Sequence, residues 1–231
     1  MSRSIDAENR AAVIAAITGR RSVRGFLPDP VPRPVIEAIL SAASRAPSGT
    51  NLQPWRVHVL TGAARQQLTE AILAHRRLHP EPAGQYRYYP DTWREPYLAR
   101  RRKIGWDLYG LLGIGRTDRR AMREQHDRNF SFFGAPVGMI FTLDRDMGQG
   151  AFIDLGMFMQ SVMIAAQGFG LDTCPQAAFM SYHAIITERL RLPDTSMVVC
   201  GMALGRVDPA APANQLATVR APLEDFVTFL T

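Results

Sequence analysis

Apolar residues fall at helical or strand spacing over most of the chain. Val13, Ile14 and Ile17 lie three and four apart, which predicts a helix over residues 11–18, closed by Gly19. Residues 32–44 carry proline near the start and Val35, Ile36, Ile39, Leu40 and Ala43 on one face, a second helix. Val57 and Val59 alternate with Arg56 and His58, the pattern of a half-buried strand. Residues 61–76 read as a helix with Thr61 as cap and Leu68, Ala71 and Ile72 inward. Residues 137–143 form an apolar strand, and residues 152–168 a helix that is hydrophobic nearly all round and needs cover on several sides. A helix over 181–191 capped by Ser181, an apolar strand over 197–204, and a last helix over 222–230 complete the pattern. Pro222 stands in the first turn of that last helix, beside Glu224 and Asp225. Helices and strands do not alternate strictly, so the expected class is α+β, a mainly antiparallel sheet flanked by helices in one domain, residues 1–231.

The pattern weakens between residues 78 and 127. Tyr88, Tyr89, Trp93, Tyr97, Trp106 and Tyr109 gather there among dense arginine. A solvated surface excursion is one reading, but so many aromatic rings are costly to leave exposed together. We read the segment as a lid-like insertion over an active site, with Tyr88, Tyr89, Trp93, Tyr97, Arg100 and Arg101 as candidate substrate residues. Rings stack on rings, and arginine pairs with carboxylate.

Composition narrows the class. The chain has 231 residues, is 46% hydrophobic and carries a formal charge of +6, nearly all of it arginine. That charge suits acidic ligands or simply a solvated surface. No zinc-finger spacing or aromatic RNA-binding strand accompanies it, so no nucleic-acid partner is expected. Cys174 and Cys200 do not make a disulfide framework. Residues 1–10 are polar, with no signal-peptide pattern, and the longest apolar run, residues 155–170, is interrupted by Gln160, Ser161 and Gln167. We therefore expect a cytoplasmic protein and no membrane span.

Standard catalytic sets are missing from the sequence. His75 and His79 stand four apart without a carboxylate at metal-site spacing, so no metal is expected. There is no nucleophile elbow, and Cys174 reads as a buried free thiol. The glycines of residues 110–115 do not follow a strand, and neither a dinucleotide-binding fingerprint nor a phosphate loop is present.

Two segments carry chemistry instead. Arg20-Arg21-Ser22-Val23-Arg24-Gly25-Phe26 packs three guanidinium groups and a hydroxyl into seven residues; Ala46-Pro47-Ser48-Gly49-Thr50-Asn51-Leu52-Gln53-Pro54-Trp55 is a polar turn of small residues running into a strand. Arginine forks match phosphate oxygens, and small residues with free N–H groups let a flat ring approach closely. As isolated residues, the arginines could equally be surface ion-pair partners, and Ser48 and Asn51 plain turn residues. In this order, with the Gly134-Ala135-Pro136 turn, the Gly170-Leu171-Asp172 turn leading to Cys174-Pro175, and the closing Thr218-Val219-Arg220-Ala221-Pro222-Leu223, the segments resemble the FMN-dependent nitroreductase family, its nitrobenzoate-reductase-like branch in particular.

The resemblance implies a nitroreductase-like fold in an intertwined homodimer, with both subunits lining each FMN site. It places Arg20 and Arg220 on the FMN phosphate with Ser22 beside them and Arg21 adjacent, and Arg24 near the pyrimidine edge. Pro47, Ser48, Gly49 and Asn51 would reach the flavin from the other subunit. Pro175, Gln176, Ala177 and Ala178 would lie over the ring, with the Ala177 N–H near N5, and Arg128 or Asn129 would contact the pyrimidine. Thr218 stands where some members carry lysine, which leaves the phosphate to the arginines. The implied activity is reduction of nitroaromatic compounds by NADH or NADPH, alternating over one flavin face in ping-pong fashion, with no side-chain nucleophile. The resemblance leaves two alternatives: another acceptor, such as a quinone or a reductive dehalogenation substrate, and flavin binding without turnover.

Overall fold

The structure is a computed structural model describing residues 7–79 and 84–231. In chain order its elements are α1 (Ala7–Gly19), α2 (Arg33–Ala43), β1 (Arg56–Thr61), α3 (Gly62–Leu78), α4 (Tyr97–Leu111), α5 (Arg119–Asp127), β2 (Val137–Asp144), α6 (Gly150–Gly168), β3 (Asp172–Gln176), α7 (His183–Leu190) and β4 (Ser196–Gly205). The four strands form one antiparallel sheet in the order β1-β2-β4-β3, so the α+β expectation holds.

Strand alternation divides the interior into two cores. Val137, Met139, Phe141 and Leu143 of β2 point to the face covered by α2 and α6, while Ile140 points to the other. Their partners on β4 match: Met139 pairs with Met202 and Leu143 with Met197. An extra residue on β4 shifts the register between Phe141 and Thr142, which lets Met197 and Val199 share a face with Met202 and Leu204 despite the opposite parity. The second core packs Leu68 and Ile72 of α3, Phe130, Phe132 and Phe133, and Phe179, Tyr182 and Ile186 against the sheet.

Helix α6 is long and apolar enough to cross a membrane by length and composition alone. It lies on the sheet instead, burying Leu155, Phe158, Val162 and Ala166 while Ile153 on its outer side stays 66% exposed. Helix α1 buries no residue, and Val13, Ile14 and Ile17 are exposed.

Three local expectations change. The helix expected over 222–230 is a single turn, Leu223–Asp225, followed by exposed Phe226, Phe229 and Leu230. Short helices depend on an apolar surface to pack on, and this chain offers the tail none. Ser181 does not cap α7: it lies in a tight 3-10 turn, Ala177–Tyr182, and α7 begins at His183. The cause is tertiary, because Phe179 is drawn onto the sheet over Gly201, where a β-carbon would stand 2.3 Å from its ring. Thr61 does precede α3, but its side chain makes no capping bond.

The segment over 78–127 contains two helices, α4 and α5, that its weak periodicity hid. Helix α4 buries no residue, so its sequence carries no apolar stripe.

Candidate functional site

The Arg20–Phe26 segment is extended and attached along the outer edge of β3. Ser22 bridges Thr173 in parallel, and Val23 N donates to Thr173 O at 3.0 Å. A buried asparagine 190 residues away holds the other side. Asn214 Oδ1 accepts from Arg24 N at 2.7 Å, and its Nδ2 donates to Gly25 O at 2.8 Å and Asp208 O at 2.9 Å. Arg21 Nη1 donates to Asn214 O at 2.8 Å. Gly25 is required here, since a β-carbon would come within 2.4 Å of Ala211 Cβ. This clamp leaves Arg20 and Arg24 beside Cys174, where their charges act on its thiol. Burial outweighs them and pushes the thiol up to about 11, so Cys174 is a protonated core residue. Cys200, also buried, is pushed up to about 12.

From this edge a cleft of about 850 Å³ opens. Its floor is the end of β3 and the turn after it, Pro175, Gln176, Ala177 and Ala178, with Arg24 and Asn129 at the margin. The first N–H groups of a helical turn lack partners within it. The turn that opens at Ala177 has no side-chain cap either. Gln176 Nε2 donates to Asn129 O at 2.6 Å, while its Oε1 is buried without a hydrogen-bond partner. A buried acceptor left unpaired is costly. A flat ligand with ring N–H groups, resting on this backbone beside an arginine, fits the donors and acceptors present.

The roof comes from the segment over 84–109. Gln85 Oε1 accepts from Val198 N at 2.9 Å, and Tyr86 Oη donates to Val199 O at 2.8 Å, fixing residues 84–86 to β4. From that anchor a chain of rings runs Tyr86, Tyr88, Tyr89, Trp93, with centroids 4.6–6.4 Å apart, closed by the Arg101 guanidinium 4.8 Å from the Trp93 ring. Tyr88, Tyr89 and Tyr109 of α4 line the cleft. Burial raises the Tyr88 hydroxyl above its usual range, so it stays neutral.

The structure thus brings together Arg24, Asn129, Pro175, Gln176, Ala177, Ala178, Tyr88 and Tyr89. Of the pair Arg128 and Asn129, it is Asn129 that lines the cleft; Arg128 does not. The other roof candidates do not line it. Trp93 and Arg101 stack on each other behind the lining, Tyr97 is exposed beneath Arg94, and Arg100 faces Asp225 at 3.8 Å. Arg20, Arg21 and Ser22 lie along the β3 edge, outside the lining.

The second sequence segment is elsewhere, seated on α6. Ser48 Oγ donates to Asp154 Oδ2 at 2.7 Å and accepts from Gln53 N at 2.8 Å, and Gly49 N donates to the same carboxylate at 3.1 Å. Trp55 stacks on Phe158 at 4.8 Å. The loop therefore holds a rare shape, with Thr50, Asn51 and Gln53 at positive φ, and it exposes Pro47, Gly49 and Asn51. Arg220, in the exposed tail, donates to Thr218 Oγ1 at 2.8 Å.

Residues missed in the sequence include Asp154 and Asn214, whose partners are about 105 and 190 residues distant. Also missed is the inner wall of Arg76, Gln125, His126 and Tyr182. Arg76 pairs with Asp127 through Nε and donates to Tyr182 Oη at 2.9 Å. Burial and the nearby Arg76 charge hold His126 below the usual histidine value. No group of three or more metal-ligating side chains occurs among the described residues.

A second groove, about 830 Å³ between α2 and β1, contains none of the predicted site residues.

Comparisons with known proteins agree with this geometry. Residues 17–206 match the Nitroreductase family. The chain is 44% identical over 215 residues to a nitrobenzene nitroreductase of Ectopseudomonas oleovorans, covering 93% of this chain and 95% of that protein. It is 40% identical over 219 residues to a 4-nitrobenzoate reductase of Nocardioides sp. (strain LMS-CY), covering 94% and 89%. The crystal structure of the FMN- and NADPH-dependent nitroreductase NfnB from Sphigopyxis sp. strain HMH superposes with a TM-score of 0.92 at 36% identity, over 95% of this chain and 99% of that one. A clamped arginine segment at the sheet edge, an open peptide floor and an aromatic roof accompany similarity along nearly the whole length, and the chain belongs to the nitroreductase family.

Proposed function

We propose that this protein is an FMN-dependent NAD(P)H oxidoreductase that reduces nitroaromatic compounds. The observation that carries the reading is the cleft itself. Segments near residues 24, 88, 129 and 176 converge there into a peptide floor with an arginine at its margin and tyrosines overhead. Bound FMN supplies the electron transfer between nicotinamide and acceptor, and the protein supplies position and electrostatics. Arg24 would stabilise negative charge at the pyrimidine edge, with Asn129 and Gln176 Oε1 as hydrogen-bond partners. The Ala177 N–H would meet the ring near N5. Arg20 and Ser22, at the sheet edge, would meet the phosphate. Tyr88 and Tyr89 would stack on whichever ring occupies the face above, donor and acceptor in turn, and exclude water from it.

The working unit of this reading is a homodimer. Apolar side chains on α1, Ile153 on α6, and Val219, Phe226, Phe229 and Leu230 of the tail stand exposed on one copy, more than a solitary chain comfortably presents. The partner copy would then bring Arg220 and the exposed loop of Pro47, Ser48, Gly49 and Asn51 to the flavin. The protein acts in the cytoplasm on a small aromatic molecule.

Purified protein tests the reading directly. It should be yellow, release FMN and not FAD on heating, elute as a dimer, and oxidise NAD(P)H only when a nitroarene is present. Yellow protein that oxidises NAD(P)H with quinones and not nitroarenes supports the first alternative. Yellow protein with no turnover supports a flavin-binding role.

A further inference from the structure

We infer that the cleft selects uncharged nitroarenes over nitroarenes bearing a carboxylate. The inference rests on the flavin reading above, in which Arg24 belongs to the cofactor. The remaining charge of the cleft can then be followed group by group.

Among the described residues, Arg24 and Arg76 are the only arginines in the lining, and no lysine reaches it. Arg76 has its charge matched. Asp127 pairs with its Nε, Tyr182 Oη takes its Nη1, and the guanidinium lies 5.5 Å from the Phe130 ring centroid. The only other basic side chain on the wall is His126. Burial and Arg76 hold it below the ordinary histidine value, so it is neutral at pH 7.5. Tyr88 is neutral as well. Arg100 and Arg101 were the sequence's candidates for a carboxylate partner. They face Asp225 and Trp93 instead, outside the lining.

A substrate carboxylate would therefore enter an aromatic chamber in which the described residues of this chain offer it no uncommitted cation. Removing a carboxylate from water without a partner is strongly unfavourable, whereas a nitro, chloro or methyl substituent loses little hydration. The hydroxyls of Tyr88, Tyr89 and Tyr109 are available to nitro and carboxylate oxygens alike, and being neutral they do not take the place of a cation. This is selection by desolvation: the neutral ring gains burial and stacking, and the anion loses hydration that neutral hydroxyls replace only in part.

Two measurements on the FMN-loaded enzyme at pH 7.5 test it. In the first, unreactive analogues are titrated while the flavin absorbance is followed. Benzamide should bind at least tenfold more tightly than benzoate, its anionic counterpart of the same shape. In the second, kcat/KM is compared for nitrobenzene and 4-nitrobenzoate, and the neutral substrate should lead by at least tenfold. Two variants should then move the ratio toward the acid. Asp127→Asn removes the counter-charge from Arg76. Gln125→Lys adds a cation to the α5 wall and covers the case in which loss of Asp127 unfolds the protein. A charge-assisted pair typically changes affinity by about ten- to a hundredfold, so the 4-nitrobenzoate KM should fall about tenfold or more in a folded variant. Benzoate binding as tightly as benzamide, equal kcat/KM for both substrates, or folded variants with an unchanged ratio would each overturn the inference while leaving the nitroreductase reading intact. Failure to reduce either substrate would overturn that reading, and the analogue titration would still decide the charge preference.

Discussion

The floor and the roof of the cleft are made by different physics. The floor is backbone, fastened from both sides. Segment Arg20–Phe26 is clamped between β3 and Asn214, and the turn after β3 is pinned by Phe179, which stacks on Phe132 at 4.7 Å and is fully buried. The roof is side chain on side chain. Beyond the two bonds from Gln85 and Tyr86 to β4, it is held by ring contacts and ion pairs, several of them exposed, and α4 buries nothing. Buried packing and satisfied backbone bonds each contribute more than exposed stacking or surface pairs. In the proposed function, a scaffold built this way would fix the part that holds the cofactor and leave the part that meets the substrate less firmly held.

The largest expected effect lies in the floor. Phe179→Ala should cost about 3–5 kcal/mol, the usual range for a buried phenylalanine. Tyr89→Ala in the roof should cost well under about 1 kcal/mol, as exposed changes do. Thermal or urea unfolding of the two variants reads the difference, and equal losses would break the comparison.

Next come Arg20 and Arg220, the arginines proposed to meet the FMN phosphate. Arg20→Ala and Arg220→Ala should each weaken FMN by about 1.5–3 kcal/mol, roughly ten- to a hundredfold. Arg116, 5.0 Å over the Trp106 ring in the roof, should leave FMN affinity unchanged when replaced by alanine. Identical affinities in all three variants would remove the phosphate assignment.

The roof answers to a smaller perturbation with a different readout. Trp93→Ala deletes the Arg101 contact and the support of Tyr89 at a half-buried site, worth about 1 kcal/mol. Unfolding should barely change, while the KM for nitrobenzene rises and FMN content stays the same. A large drop in melting temperature would show that the roof is part of the structural core.

The smallest effect is in pH. Burial lowers the pKa of His126, with help from Arg76, and that of His58, with help from Arg56, below the 6.5 of an unfolded chain. The unfolded chain then takes up protons first as pH falls. The contribution of both residues is constant above about 6.5 and is lost progressively from there down to their folded values. The melting temperature should fall between pH 7.5 and 5.5, and fall less in a His58→Gln, His126→Gln double variant.

Much of this was legible in the sequence. The helical spacing in α2 and α3 reports burial on one side and the apolar runs of β2 and β4 report burial on both, which local sequence records directly; the alternation around Val57 located β1, but there Val59 is exposed, His58 is half-buried and Leu60 is the buried residue. Arg24 and the 175–178 run were singled out through the family resemblance, and they line one cleft. Helices α4 and α5 were not legible, because α4 buries no residue and α5 is a short, highly charged helix whose one buried residue is Gln125. Nor was β3 marked as a strand: it is five residues long and includes Pro175, a residue tolerated there because the strand lies next to the edge segment and not in mid-sheet.

The sequence by itself determined the two-faced sheet, the main helices and the chemical character of the arginine segment, all properties of residues close along the chain. Only the tertiary structure decided which candidates meet. The loop of Ser48 is set by Asp154, a partner the sequence did not single out, and Arg100 and Arg101, read as anion partners, are turned to Asp225 and Trp93. Arg76, His126 and Tyr182, unremarked in the sequence as site residues, form the inner wall. The physical reason is that a hydrogen bond or an ion pair depends on distance and direction between groups up to 193 residues apart, and no local pattern encodes either.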